Sequence, residues 1–115
     1  MILNYFFKKK SKLLKSINFK YVFEKNYMQS NFELVILGRS NYLGYPRLGI
    51  SIPKKNVKYA YKRNIIKRLI RETFRLLQYK LTSKDFIVIA KKNIISLNNK
   101  NIINILETLW LKYHH

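Results

Sequence analysis

The 115-residue chain contains no cysteine, which excludes disulfide bonds, thiolate metal sites and a thiol nucleophile. Acidic residues are also scarce, with 5 Asp and Glu against 24 Lys and Arg. The acids are Glu24, Glu33, Glu72, Asp85 and Glu107. They are scattered over different segments, and none is paired in sequence as a two-metal nuclease site would favour.

Histidine occurs only at the extreme end of the chain, as His114 and His115. Terminal residues are usually frayed, so we expect neither ring to be held within hydrogen-bond distance of a scissile phosphate. We expect both rings to be exposed to solvent and to bind no metal. A protein-based ribonuclease mechanism of the His/His type therefore lacks its parts, and any cleavage requires a catalytic partner.

Apolar runs are too short to span a bilayer, and the N-terminal segment MILNYFFKKKSK places its basic cluster after the apolar residues, the reverse of a secretory signal. We therefore expect a cytoplasmic protein with no membrane partner. The length fits a single domain spanning residues 1–115, of which residues 1–11 are expected to be a flexible basic N-terminus.

The dominant feature of the chain is its positive charge, with a formal net charge of +19 at pH 7. Self-repulsion on this scale destabilises a compact state, and a polyanionic partner relieves it. Nucleic acid is the commonest such partner, while an anionic membrane surface or a heparin-like polymer is the alternative. Because 48% of the residues are hydrophobic, we expect a folded protein and not a disordered basic tail.

Hydrophobic periodicity predicts the order helix, strands, helix, strand, helix. The predicted strands lie at residues 32–39, 47–52 and 85–91. The first predicted helix begins behind Ser16 as its cap, the second spans about residues 60–79, and the third spans residues 98–113 with an Asn98 cap. The first two strands are expected to pair as an antiparallel hairpin around turn residues 41–46. The order indicates an α+β sandwich, one small sheet with helices packed mainly on one face.

The helix at residues 60–79 separates charge from apolar side chains. At about 100° per residue, one arc holds the donors Arg63, Asn64, Lys67, Arg68, Arg71 and Arg75, and the other holds Ile65, Ile66, Leu69, Ile70, Thr73, Phe74, Leu76 and Leu77. Guanidinium binds phosphate bidentately and stacks on bases, so arginine concentrated here favours RNA binding. The alternatives are a merely solvated helix face, although only Glu72 alternates the sign of the charge, and an amphipathic helix of the calmodulin-target or membrane-surface type.

Residues 62–75, KRNIIKRLIRETFR, resemble the signature helix of the bacterial ribonuclease P protein subunit, which is written around an Arg-Asn-Arg core followed by Lys-Arg and Arg-Glu. The flanking segments PRLGISIPKKNVKYAYKRN, INFKYVF, DFIVIAKK and LETLWLKY are similar to other parts of that family, so the resemblance covers essentially the whole chain. Ile65 departs from the pattern because it occupies the position of the second arginine. We expect its loss of charge to weaken one RNA contact or a local salt bridge.

The resemblance implies a small two-layer α+β sandwich with a four-stranded sheet, three helices in the order α-β-β-β-α-β-α and an unusual left-handed βαβ crossover. It also implies the role of a protein subunit that binds the catalytic RNA subunit, one protein per RNA. The holoenzyme then binds precursor tRNA and removes its 5′ leader by Mg²⁺-dependent hydrolysis. The active site and the Mg²⁺ belong to the RNA and substrate, so the protein alone is expected to be inactive.

Two sets of site residues follow from the resemblance. The set that matches the RNA-subunit contacts consists of Lys54, Lys55, Arg63, Asn64, Lys67, Arg68, Arg71 and Arg75. Phe19 and Phe23 match aromatics beside a cleft that receives the single-stranded leader, where stacking gives a sequence-tolerant grip. Ordinary core packing is the alternative for these two phenylalanines.

A second functional class stays open at this point, a non-enzymatic RNA-binding module such as a ribosomal or RNA-assembly protein. Its charge and fold class would fit equally well. The ordered set of motifs separates the two classes, because a generic binder has no reason to carry it. An RRM is disfavoured because RLGISI lacks the stacking aromatics of that sheet.

Overall fold

The computed structural model describes residues 14–115. The helices and strands are α1 (Ser16–Glu24), β1 (Tyr27–Ser30), β2 (Leu34–Ser40), β3 (Arg47–Ser51), α2 (Ala60–Leu77), β4 (Lys84–Ala90) and α3 (Asn99–Leu111), with short 3₁₀ turns at Gln78–Lys80 and Lys92–Ser96. This order and the α+β class confirm the prediction. The predicted flexible N-terminus, residues 1–11, lies outside the described residues.

The four strands form one mixed sheet in the order β1-β2-β4-β3. β2 pairs antiparallel with both β1 and β4, whereas β3 pairs parallel with β4. The β3-α2-β4 unit is therefore a parallel crossover, and its left-handedness stays a prediction from the resemblance. β1 escaped sequence reasoning because its four residues, YMQS, are mostly exposed and show no apolar alternation.

The predicted hairpin between β2 and β3 is wrong, because β4 lies between these two strands. The loop at residues 41–46 crosses over the beginning of β4, where the Asn41 amide donates to Asp85 Oδ1 (2.9 Å) and Gly44 N–H donates to Ser83 Oγ (2.9 Å). β4 is also apolar on both faces, which suits a central strand. Turn residues announced the loop, but they do not specify which strands pair across it.

One face of the sheet is covered by α2 and α3. Alternate strand residues such as Ile36, Phe86 and Val88 point into this layer, and all are fully buried. The Trp110 ring lies 5.6 Å from Phe74 and 5.2 Å, edge-on, from Phe86 between ring centroids. This layer holds the main hydrophobic core.

Among residues 14–115, α1 is the only helix on the opposite face. Its buried cluster is small and consists of Leu14, Val22, Leu37 and Ile87, with Phe19, Val35 and Ile89 half-buried beside it. The expectation that helices pack mainly on one face is therefore met by two helices of three.

Two helix starts tested the predicted caps. Asn98 caps α3 as predicted, because its side chain accepts from Asn101 N–H (2.8 Å). Ser16 does not cap α1, since it is the first helical residue and Lys15 precedes it as the N-cap. Instead, Asn18 Oδ1 accepts from the Lys15 N–H (2.9 Å).

The expected fraying of the C-terminus is wrong. The Tyr113 hydroxyl donates to the carbonyls of Tyr27 (2.7 Å) and Ile36 (2.9 Å), which ties the end of the chain to the sheet. His114 is half-buried and its backbone bridges Leu81, whereas the His115 ring is exposed. Hydrogen bonds therefore hold the end of the chain, and of the two imidazoles only that of His115 is fully exposed to solvent.

Candidate nucleic-acid interface

The inner face of α2 fixes the helix on the core. Ile66, Leu69, Ile70, Thr73 and Phe74 are all buried, as the helical arc predicted. Thr73 keeps its hydroxyl satisfied, because Oγ1 donates to the Ile70 carbonyl (3.0 Å) and accepts from the Trp110 indole (3.2 Å). This anchoring determines which side chains are turned away from the protein.

The apolar arc was drawn too wide at its edges. Leu76 is 54% exposed, and Ile65 is half-buried. Leu76 lies at about 220° from Arg63 at 100° per residue, at the border of the arc, where a side chain leaves the contact with the sheet. The buried stripe is therefore narrower than predicted.

The outward face of α2 presents Asn64, Arg68 and Arg71 to solvent, with Lys67 and Arg75 half-buried beside them. Arg68 Nε lies 3.5 Å from Glu72 Oε1, one turn further along the helix, and both side chains are at least half exposed. Such exposed i,i+4 pairs contribute only about 0.3–0.5 kcal/mol, so Glu72 does not hold Arg68 against a phosphate ligand. Sequence reasoning placed these donors on the correct side of the helix.

Arg63 differs from the rest of the row. Its Nη1 donates to the carbonyls of Val57 (3.0 Å) and Lys58 (2.8 Å), and the residue is half-buried. The guanidinium therefore fastens the loop before α2 to the first turn of the helix. Its remaining N–H donors stay available to a ligand, since guanidinium carries five.

The loop before α2 holds Lys54 and Lys55 in exposed positions. It is anchored between them and the helix, because Val57 is buried and the Asn56 amide donates to the Ala90 carbonyl (2.8 Å). The two lysines thus precede α2 on an anchored loop. At the start of the helix, unpaired N–H groups add positive potential, and no acidic residue occupies the first turn.

Sequence reasoning missed two tyrosines at this end of α2. Tyr59 and Tyr61 are exposed and their rings stack with centroids 5.9 Å apart. The Lys58 ammonium lies 5.6 Å from the Tyr59 ring. The signal was present in the sequence, as two tyrosines two residues apart among four lysines between positions 54 and 62.

The two candidate leader residues lie on the other side of the sheet. Phe19 is half-buried, and its ring covers Gly49 so closely that a Cβ there would lie 2.6 Å from Phe19 Cζ. Phe23 is 51% exposed, with its ring centroid 6.3 Å from that of Phe19. The structure therefore separates the predicted residues into two surfaces, one on α2 and its loop and one on α1.

One acid, Asp85, is held away from these surfaces by an ion pair. Asp85 is buried, where it accepts from Arg47 Nε (2.8 Å) and Nη2 (2.7 Å), and this hydrogen-bonded pairing raises the pKa of Arg47. Within residues 14–115, no group of three or more His, Cys, Asp or Glu side chains is gathered where it would hold a metal ion. In the same range, no helix is both long and apolar enough to cross a membrane.

A small mixed α+β domain that carries a guanidinium-rich helix on one side and exposed aromatic rings on the other belongs to the class of RNA-binding proteins. The family model described as Ribonuclease P matches residues 7–114. The chain therefore belongs to the ribonuclease P protein family, and it is a protein subunit of this ribonucleoprotein endonuclease, which acts in tRNA processing.

Relatives cover nearly the whole chain. The ribonuclease P protein component of Buchnera aphidicola subsp. Schizaphis graminum is 68% identical over 112 residues, which is 97% of this chain and 98% of the relative. That of Pasteurella multocida is 47% identical over 107 residues, 93% of this chain and 90% of the relative. The structure of the Staphylococcus aureus RNase P protein superposes with a TM-score of 0.84 at 31% identity, covering 91% of this chain and 98% of that one. A ribosomal or assembly protein is accordingly not favoured.

Proposed function

We propose that the outward face of α2, together with Lys54 and Lys55, binds the RNA subunit of ribonuclease P. The RNA subunit carries out the phosphodiester hydrolysis, and the Mg²⁺ it requires is held by RNA and substrate. One protein binds one RNA, in the cytoplasm. The protein supplies binding surfaces and no reacting group.

The observation that carries this proposal is the row of outward donors on a helix that is fixed by its inner face. Arg68 and Arg71 lie on the face opposite the buried stripe, and residues three apart on a helix have Cβ atoms about 5–6 Å apart. Among the residues that the structure describes, Glu72 alone forms an ion pair with either arginine, through a long and exposed contact to Arg68. A preorganised row of this kind binds phosphates with little ordering cost to the side chains.

The α1 surface is the second half of the proposal. Phe23 is half exposed beside the half-buried Phe19, and next to them the sheet shows the half-buried Val35 and Ile89. We assign this surface to the unpaired 5′ leader of precursor tRNA, because base stacking on aromatic rings contributes about 1–3 kcal/mol per base and tolerates any sequence.

The test is reconstitution with a bacterial ribonuclease P RNA. At low Mg²⁺ the wild-type chain should restore cleavage of precursor tRNA, and the chain without RNA should cleave nothing. The double variant Arg68→Ala/Arg71→Ala should bind the RNA subunit at least about tenfold more weakly, because a hydrogen bond to a charged group contributes about 1.5–3 kcal/mol. The slope of log K against log salt concentration should become shallower by the equivalent of about two phosphate contacts.

A matched control removes the same charge elsewhere. Lys100 and Lys112 are exposed and lie on or at the end of α3, so Lys100→Ala/Lys112→Ala lowers the net charge equally. We expect a small, long-range loss of affinity from the control and a change in unfolding free energy within about 0.5 kcal/mol for both variants. An equal loss from both pairs would show that total charge, and not the α2 face, sets the affinity.

A further inference from the structure

A second aromatic and basic cleft lies at the C-terminal end of α1, and the proposed function makes no use of it. Its volume is about 370 Å³, within the range of about 300–1,000 Å³ that is usual for small-ligand sites. The side chains that matter here are Tyr21, Lys25, Tyr27, Arg39 and Tyr42.

The cleft is separate from the surface of Phe19 and Phe23. Tyr21 and Phe23 are two positions apart on α1, so they point about 160° away from each other around the helix axis. α1 therefore stands between the cleft and the proposed leader surface. A ligand of the cleft lies on the opposite flank of the helix.

The cations of the cleft are positioned by aromatic rings instead of carboxylates. The Arg39 guanidinium carbon lies 3.4 Å from the centre of the Tyr21 ring, and Nη1 donates to the Tyr21 carbonyl (2.8 Å). Lys84 does not line the cleft, but its ammonium lies 5.0 Å from the Tyr27 ring and 3.3 Å from Ser40 Oγ. Within residues 14–115, neither Lys25 nor Arg39 forms an ion pair, so no carboxylate competes with an anion for them.

Tyr42 forms one side of the cleft in a conformation that is unfavourable for it. Its φ is 59°, in the left-handed region that a bulky side chain rarely adopts. Asn41 fixes this turn, since its Oδ1 accepts from Leu43 N–H (2.9 Å) and from Ser83 Oγ (2.7 Å). The Tyr42 ring is nevertheless 90% exposed, so the strain is not offset by packing within the protein.

We propose that this cleft binds one unpaired RNA nucleotide. The base stacks on the exposed rings of Tyr42 and Tyr27, and the phosphate is held by Lys25 and Arg39. Aromatic faces beside cations are the combination that single-stranded nucleic acid requires, whereas the scarcity of acids and of deep apolar lining disfavours a peptide. The inference rests on the proposed function, because the nucleotide belongs either to the precursor or to the RNA subunit.

Photo-crosslinking in the reconstituted holoenzyme tests the cleft directly. Benzoylphenylalanine is placed at Tyr42 in one sample and, as a control, at Leu111, an exposed apolar residue at the end of α3. We expect strong RNA crosslinking from position 42 and little from position 111, and separate labels on precursor and RNA subunit identify the source. Equal RNA crosslinking from both positions, or crosslinks from position 42 to protein only, would overturn the inference.

A substitution separates binding from stability. Tyr42→Asn removes the ring, and asparagine suits the left-handed backbone, so the Tm should stay the same or rise. Binding of the RNA that position 42 crosslinks should weaken five- to tenfold. If the wild-type chain restores cleavage but Tyr42→Asn binds the RNA as tightly as wild type, the proposal for the cleft is wrong and the proposed function stands. A wild-type chain that restores no cleavage would instead overturn the proposed function, and the inference with it.

Discussion

The two faces of the sheet differ in how completely they are covered. On one face, α2 and α3 bury Trp110, Phe74 and Phe86 completely. On the other, within residues 14–115, α1 contributes Val22 to a buried cluster of only four residues, and Phe23 is left half exposed. The comparison indicates that the fold draws most of its stability from the covered face. The open face is thereby left with side chains that can contact a ligand at little cost to folding.

The largest expected effect is on the covered face. Trp110→Ala should lower the unfolding free energy by about 3–5 kcal/mol, because it empties a site between two aromatic rings and leaves Thr73 Oγ1 without its indole donor. Denaturant unfolding followed by circular dichroism measures the change. Phe23→Ala on the open face is the comparison, and we expect it to cost less than about 1 kcal/mol. Similar losses from the two variants would remove the distinction between the faces.

An intermediate effect is expected where the open face is closely packed. Gly49→Ala places a Cβ 2.6 Å from Phe19 Cζ, so the ring must move. Overpacking of this kind costs about 1–3 kcal/mol, and the displaced ring should also weaken binding of leader-bearing precursor. Phe19→Leu in the same chain should recover the stability but not the binding. Binding losses equal for precursor and mature tRNA would show that Phe19 is only a core residue.

A smaller effect is the pH dependence of the unfolding free energy at Tyr113, on the covered face. Burial raises the pKa of Tyr113 to about 12, from about 10 in an unfolded chain. The fold therefore favours the neutral phenol, and its stabilisation is complete below about pH 10 and is lost as the pH rises through about 12.

Tyr113→Phe isolates this contribution. The variant loses the hydrogen bonds to the Tyr27 and Ile36 carbonyls, which should cost about 1–2 kcal/mol at pH 8. The difference in unfolding free energy between wild type and variant should shrink between pH 10 and 12, because the Tyr113 phenol ionises in the unfolded chain over this range. The lysines titrate alike in both chains, so their contribution cancels. A difference that stays constant across this range would contradict a buried neutral hydroxyl.

The smallest effect is expected at Glu72 on α2. Glu72→Gln removes the exposed contact to Arg68 and should change the unfolding free energy by a few tenths of a kcal/mol. Affinity for the RNA subunit should rise by about twofold, since one opposing charge is removed from the row. Titrations at two salt concentrations measure it, with Glu107→Gln on α3 as the control. Weaker binding by Glu72→Gln would mean that the Glu72 contact positions Arg68 for RNA.

Much of the structure was accessible from the sequence wherever periodicity carried the signal. α2 was found with its buried face, because residues such as Ile66 and Ile70 repeat at helical spacing, and α3 was found with its Asn98 cap. The pairing of β3 with β4 was not, since strand periodicity reports which side is buried and not which strand is adjacent. The fourth strand, β1, came only from the resemblance.

The site was predicted in composition more fully than in geometry. The outward position of Arg68 and Arg71 followed from the helix angle, whereas the hydrogen bonds of Arg63 to the Val57 and Lys58 carbonyls depend on how the preceding loop folds back. The cleft at Tyr42 was missed for a similar reason. Its residues come from α1, β1, β2 and a loop, and only the tertiary fold brings them together.

The central place of β4 has a consequence for how the chain is made. β4 lies between β2 and β3, so these two strands cannot be joined into one sheet until residues 84–90 have been synthesised. At about 5–20 residues per second, β3 waits on the order of 2–8 seconds for its partner. During that time the nascent chain exposes unpaired strand edges and uncovered cations, so its earliest contacts in the cell are made before it has a core.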